Sequence, residues 1–199
     1  MLPNLPVLLF ILLSALSSQV SKPQITKWVV MKGGSLKVDG STNINKFNCA
    51  ISNYAKSDTI IINKLPAKGV ISLSGEIILE VQNFDCHNPV MTSDLRKTLK
   101  AKAFPKLTVS FLSLSKYPSL SSRNELIKGM VAIELSGVNK KFEVNYKVIS
   151  LGENVINLIG TREVNFSDFN IIPPRKIGGM IRTNNELNVE FNLRLKILN

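Results

Sequence analysis

Strand-length runs of alternating apolar and polar residues, short turns between them, and a single stretch with helical spacing predict an all-β fold. It is an antiparallel meander of about eight strands closing into a barrel, with one short helix. The alternation is strict in residues 141–148, where Phe142, Val144, Tyr146 and Val148 oppose Glu143, Asn145 and Lys147. It is equally strict in residues 187–197, with Leu187, Val189, Phe191, Leu193, Leu195 and Ile197 on one face. Closure into a barrel removes exposed sheet edges. A barrel of that size either fills with side chains or holds one small ligand, and periodicity alone does not choose.

The chain has 199 residues and is 44% hydrophobic, which suits one domain with a sizeable core. Residues 1–21 carry no charged side chain, and the apolar run 6–16 is too short to span a bilayer as a helix. Ala15-Leu16-Ser17 follows a small-x-small pattern, so residues 1–21 read as a secretory signal peptide cleaved near Ser17 to Ser21. Residues 22–199 then form the barrel domain.

The strands follow in order. Residues 25–31 hold Trp28; Gly33-Gly34 turns into residues 35–39, and a break or bulge is expected at residues 40–43. Residues 45–52 put Phe47, Cys49 and Ile51 on one face. Residues 59–63 are a β-branched run, Ala67-Lys68-Gly69 turns, and residues 70–81 carry a bend at Gly75. Residues 107–114 and 126–135 are strands around a polar turn at 117–124. Residues 136–140 read as a hairpin turn, and so do residues 152–154. Residues 155–166 are a strand before the corner 167–170. A loop bounded by Pro173-Pro174 and Gly178-Gly179 leads to the last strand, 187–197.

Residues 84–111 break the pattern. Met91, Leu95 and Leu99 recur every four residues, one face of a helix. The spacing predicts a helix over residues 93–102, capped by Thr92 or Ser93, with Asp94 in its first turn and Lys100 and Lys102 near its end. Pro105 stops it.

Export implies an oxidising compartment, so Cys49 and Cys86, the only two cysteines, are a disulfide candidate; two buried thiols are the alternative. The net charge is +11, densest at Arg96, Lys97, Lys100, Lys102 and Lys106. Export and the lack of basic-aromatic interleaving exclude nucleic acid. Transient contact with an anionic membrane surface or a simply solvated basic face remains. Aromatics make up 7% of the chain and are scattered, which argues against a membrane-spanning barrel with aromatic girdles.

No catalytic constellation appears. His87 is the sole histidine and sits beside Cys86, so it reads as a turn residue. The acids are too dispersed for a metal site, and no phosphate-cradling glycine loop is present. Asp168 in Ser167-Asp168-Phe169-Asn170 reads as a corner residue whose carboxylate accepts from nearby N–H groups. No enzyme activity and no cofactor are expected; a binding module is.

Three blocks resemble the polyisoprenoid-binding, YceI-like family. They are residues 99–111 (L-K-A-K-A-F-P-K-L-T-V-S-F), residues 129–142 (G-M-V-A-I-E-L-S-G-V-N-K-K-F) and Ser167-Asp168-Phe169. Residues 40–45 (G-S-T-N-I-N) also resemble the family, and Cys49 with Asp85-Cys86 resembles a cysteine-bearing branch of it. The likeness covers most of residues 28–197. It departs at Asn170, where the family usually has Gly, and at Asn165 and Phe166, where an Arg often stands.

The resemblance implies a lipocalin-like, extended antiparallel barrel that holds an isoprenoid-type lipid or other long apolar chain, in a periplasmic or secreted protein without catalytic residues. Alternation assigns Phe111, Val131, Ile133, Leu135 and Phe142 to the interior, with Val144, Tyr146, Val189, Phe191 and Leu193. On the resemblance, these residues line the ligand. The competing expectation is a packed barrel with a structural or interaction role in the cell envelope. The sequence leaves the oligomeric state open.

Overall fold

A computed structural model describes residues 24–64, 71–119 and 124–198. The leader at 1–21 and the turn at 67–69 lie outside the described residues, as does part of the turn at 117–124. Among the described residues the chain forms β1 (Gln24–Val30), β2 (Gly34–Thr42), β3 (Lys46–Tyr54), β4 (Thr59–Lys64), β5 (Ile71–Glu80), α1 (Pro89–Thr98), β6 (Lys106–Leu114), β7 (Glu125–Leu135), β8 (Val138–Gly152), β9 (Val155–Asn165), β10 (Arg175–Lys176) and β11 (Ile181–Leu198).

The strands close into an eight-membered antiparallel ring, β1-β4-β5-β6-β7-β8-β9-β11 and back to β1. β1 and β2 follow each other along the same edge of β11, Val30 facing Leu195 and Ser35 facing Asn192. They act as one long strand interrupted at Lys32-Gly33. β3 and β4 are interrupted in the same way opposite them. This is how ten segments build an eight-strand barrel, while β10 pairs with β11 outside the ring.

The ring is sealed by backbone pairing only in the half that holds β1 and β4. In the other half, here called upper, two seams open. β4 pairs with β5 only from Ile61–Ser74 to Lys64–Ile71, and upper β5 pairs with β6 alone. The gap beside β3 is filled by the segment after β5. Ala50 and Asp85 exchange both backbone hydrogen bonds, at 2.8 and 2.9 Å, and Cys49 is bonded to Cys86 across a separation of 37 residues. At the second seam, β8 and β9 pair from Gly152–Val155 up to Asn145–Thr161 and then part. There the helical turn Phe166–Phe169 folds inward.

The hairpins follow the turn chemistry. Ser136 and Gly137 join β7 to β8 with φ of +53° and +80°, the left-handed pair that matches strand twist. Glu153 and Asn154 do the same between β8 and β9 at +49° and +60°.

Two boundaries differ from those expected. The helix spans Pro89–Thr98 and not residues 93–102. Asn88 caps it, its side chain accepting from the Met91 N–H at 3.0 Å, and Pro89 occupies the first turn, where its missing N–H costs nothing. Leu99 ends it and Lys100 turns left-handed at φ +53°. Asp94 is therefore mid-helix and pairs with Lys176 at 2.5 Å. β11 begins at Ile181, six residues before the alternation becomes regular, because Thr183 still pairs with Thr42 across a register shift. β2 continues through Thr42; of the break or bulge expected at residues 40–43, the pairing with β11 shows an irregularity of register between Gly40 and Thr42, and the chain turns at Asn43–Asn45.

The sealed half is a packed core. Trp28, Val30, Ile60, Ile62, Tyr146, Ile156 and Leu195 are fully buried there, each worth about 1.5–3 kcal/mol relative to exposure. The disulfide spans the first seam, so its loss acts on the upper half. The Cys49→Ser/Cys86→Ser double variant is expected to lose about 4 kcal/mol of stability in denaturant unfolding, from the loop the bridge closes. Thiol titration of the unfolded, unreduced wild type should find no free thiol.

Candidate functional site: a chamber under the helix

In the upper half the inward-facing side chains do not meet. They enclose a cavity of about 80 Å³ whose exposed wall is wholly apolar. Its sides come from Leu36 and Val38 of β2, Leu107 and Val109 of β6, Val131, Ile133 and Leu135 of β7, Val144 of β8, Val164 of β9, and Leu187 and Val189 of β11. Its roof is Leu95 and Leu99 of α1 with Phe84, Phe166, Phe169 and Ile171.

The floor is the Phe191 ring. It stands edge-on to Phe111 at 5.9 Å between centroids and to Tyr146 at 5.8 Å. It can lie flat there only because Gly160 opposes it: a β-carbon at Gly160 would overlap the ring. A second, smaller void of about 20 Å³, lined also by Ile77 and Leu79 of β5, shares Leu36, Val109 and Phe191 with the chamber. Phe191 is thus the partition between a hollow and a filled half-barrel.

Hydrogen bonds seat the helix as the roof. The Ser136 hydroxyl in the β7–β8 turn donates to the Leu99 carbonyl at 2.8 Å. The Arg96 guanidinium donates to the Phe84 carbonyl at 2.9 Å, and the Cys86 N–H donates to Thr92 Oγ1 at 2.9 Å. The basic residues of the helix end face out: Lys97, Lys100, Lys102 and Lys106 are exposed and Arg96 is half-buried.

The Ser167-Asp168-Phe169 corner closes the second seam. Asp168 accepts from the Asn165 N–H at 2.8 Å and pairs with Lys140 of β8 at 2.6 Å. Asn170 then turns left-handed at φ +53°, in the position where a Gly was expected, and Phe169 packs on Phe142 at 5.8 Å. The hydrogen bond from Lys140, helped by the Asn165 N–H, holds the Asp168 carboxyl below the usual carboxylate range. Arg162 lines the chamber from the same strand face as Gly160 and Val164, yet it is exposed, so it marks the mouth. Its guanidinium lies 5.9 Å from the Phe142 ring centroid.

Of the ten residues expected to line the interior, Val131, Ile133, Leu135, Val144, Val189 and Phe191 meet at the chamber. Phe111 and Leu193 reach only the smaller void. Phe142 and Tyr146 are buried and line neither, because their rings are taken up by Phe169 and by Phe191. Glu143, Asn145, Glu190 and Arg194, on the opposite faces, are exposed. The roof residues were not read as lining from the sequence, although the four-residue spacing of Leu95 and Leu99 carried that signal. Arg162 gave none, since it follows the strand alternation only as an exception. His87 is exposed in a left-handed turn at φ +57°, its N–H donating to Asp85 Oδ1 at 2.9 Å.

Comparison with known proteins places the fold. No family model matches the chain, and no curated protein matches it in sequence. Solved structures do match. BcnA of Burkholderia cenocepacia aligns at TM-score 0.59 and 15% identity, over 83% of this chain and 96% of that one. A polyisoprenoid-binding domain of Saccharophagus degradans, implicated in plant cell wall breakdown, aligns at 0.60 and 11%, over 85% and 97%. An engineered variant of a Campylobacter jejuni YceI protein aligns at 0.51 and 16%, over 70% and 80%. At this identity the likeness shows the fold alone: the closed antiparallel barrel with one helix is shared with these structures.

Two outcomes follow from the site. Gly160→Ala should cost about 1–3 kcal/mol by overpacking against Phe191, read from denaturant midpoints. For Asp168 the folded pKa is lowered, so its stabilisation is present above about pH 4 and is lost as pH falls through the folded value. The melting-temperature gap between wild type and Asp168→Asn should therefore be widest near neutrality and shrink as the solution is acidified.

Proposed function

We propose that the protein is a non-catalytic lipid-binding protein that takes the apolar tail of an isoprenoid-type or similar long-chain lipid into the upper chamber. The observation that carries this reading is a void with a wholly apolar wall inside an otherwise well-packed barrel. A water needs about 10–15 Å³ and polar partners, so a chamber of about 80 Å³ has room for several waters but offers them nothing to bond. A hydrocarbon entering it gains about 0.8 kcal/mol per buried CH₂ before ordering costs. The fold shared with a polyisoprenoid-binding domain supports the ligand class. A chain longer than the chamber continues past Arg162 or displaces Leu95 and Phe166, and Arg162 stands where a polar head would emerge. The role is carriage or sequestration, with no catalytic step.

Export behind the leader at 1–21, with 22–199 as the working domain, is part of the same reading, and the Cys49–Cys86 bond supports it. The basic outer end of α1 favours contact with an anionic surface. A packed barrel with an interaction role is the second reading, favoured by the filled lower half and the Phe111–Phe191–Tyr146 layer.

Filling the chamber without charge separates the two. Val144→Phe and Val131→Phe should leave the stability of the lipid-free protein within about 1 kcal/mol, since the added atoms occupy empty space. Overpacking of a tight core would cost about 1–3 kcal/mol. The same variants should weaken farnesol binding, followed by titration calorimetry, about tenfold or more. Strong destabilisation, together with a wild type that binds no prenol and yields no lipid on extraction and mass spectrometry, would leave the packed-barrel reading standing.

A further inference from the structure

Outside the chamber, the start of α1 faces a groove of about 360 Å³ whose other side is built from the 42–45 turn and the 174–183 segment. Leu95 and Phe166 line this groove and the chamber alike, so one layer of side chains separates the two.

The rim of the groove is apolar and turned outward. Ile44, Val90, Ile177 and Met180 are 66, 68, 68 and 74% exposed. Their turns are held together. The Asn43 side-chain amide donates to the Met180 carbonyl at 2.9 Å, and the Arg182 N–H donates to Asn43 Oδ1 at 2.9 Å. Ile177 has φ +51°, a left-handed conformation that a β-branched residue adopts at a cost. The backbone thus accepts strain at the very residue that offers an apolar side chain to solvent.

The charge beside these tips is mainly positive. Arg175 and Arg182 are exposed in the 174–183 segment and make no ion pair among the described residues; Lys46 lies in a neighbouring pocket with Asp39 and Glu186. The acid lining the groove, Asp94, is taken up by Lys176 at 2.5 Å. Neither residues 40–57 nor residues 170–185 contain an Asp or Glu. Apolar tips flanked by arginines that make no ion pair match a bilayer with anionic head groups, the tips reaching the acyl boundary and the cations the phosphates; Arg182 also donates through Nε to the Gly179 carbonyl at 3.0 Å.

We propose that this rim is a membrane-docking face, seated on an anionic phospholipid bilayer, and that lipid passes from the bilayer through the groove into the chamber when Leu95 and Phe166 move aside. The proposal rests on the chamber being a lipid site, and the test separates the two.

Flotation with vesicles of equal parts phosphatidylglycerol and phosphatidylcholine, against phosphatidylcholine alone, reads docking. The wild type should favour the anionic vesicles. Ile177→Ser/Met180→Ser should weaken that binding about tenfold, and Arg175→Gln about fivefold. All variants share the N-terminal segment, so its own contribution cancels. Transfer of a dansyl-tagged prenol from the vesicles should slow in the same order, while its uptake from aqueous dilution stays as in wild type. Variants that float and transfer like wild type would overturn the docking face. So would a dimer that Ile177→Ser/Met180→Ser dissociates, which would give the rim to a second copy. Tip-dependent flotation by a protein that takes up no prenol would sink the chamber reading and uphold the docking face alone.

Discussion

The pairing of β11 is the constraint on which the rest depends. Its 18 residues run beside β9 on one edge and beside β2 and then β1 on the other. That double pairing closes the ring and removes the free edges that an open meander would expose. It also fixes register, so Val189, Phe191 and Leu193 turn inward while Glu190 and Arg194 turn to water; a slip of one residue would exchange the two faces. Because β11 outruns β1, the same strand carries the ring upward into a region where the neighbouring strands no longer all pair.

The hollow follows from that mismatch. Where β8 parts from β9 and β5 parts from β3, the barrel is wider than its side chains can fill. The gaps are closed by non-strand pieces: the disulfide segment with its helix on one side, the Asp168 corner on the other. Both pieces are held by a few polar links, and the first also by one covalent bond, instead of a continuous ladder. Among the described residues, a roof built this way is tied to the ring by a single strand-type bridge, Ala50 to Asp85, and by the disulfide. The packed half anchors the barrel while the upper half remains available.

Much of this was legible from residue order. Period-two runs gave the strands and their inward faces, and the turn residues gave the hairpins at 136–137 and 153–154. The pair of cysteines in a chain with an apolar leader gave the disulfide. The helix was legible as an element but not in its limits: Leu95 and Leu99 announced it, while the Asn88-Pro89 start was masked by stronger-looking caps at Thr92 and Ser93. The first turns of β11 were hidden because residues 182–186 are all polar and obey no alternation.

Sequence by itself determined which side chains are apolar and on which strand face they lie, because side-chain direction along a strand has a fixed period. It could not say which inward residues meet a void. Phe142 and Tyr146 carry the same alternation signal as Val144, yet they are consumed by Phe169 and Phe191, while Val144 looks into the chamber. That division depends on where two seams open and on a glycine at 160 letting one ring lie flat. Those are distances between strands far apart in the chain, and only the tertiary structure sets them.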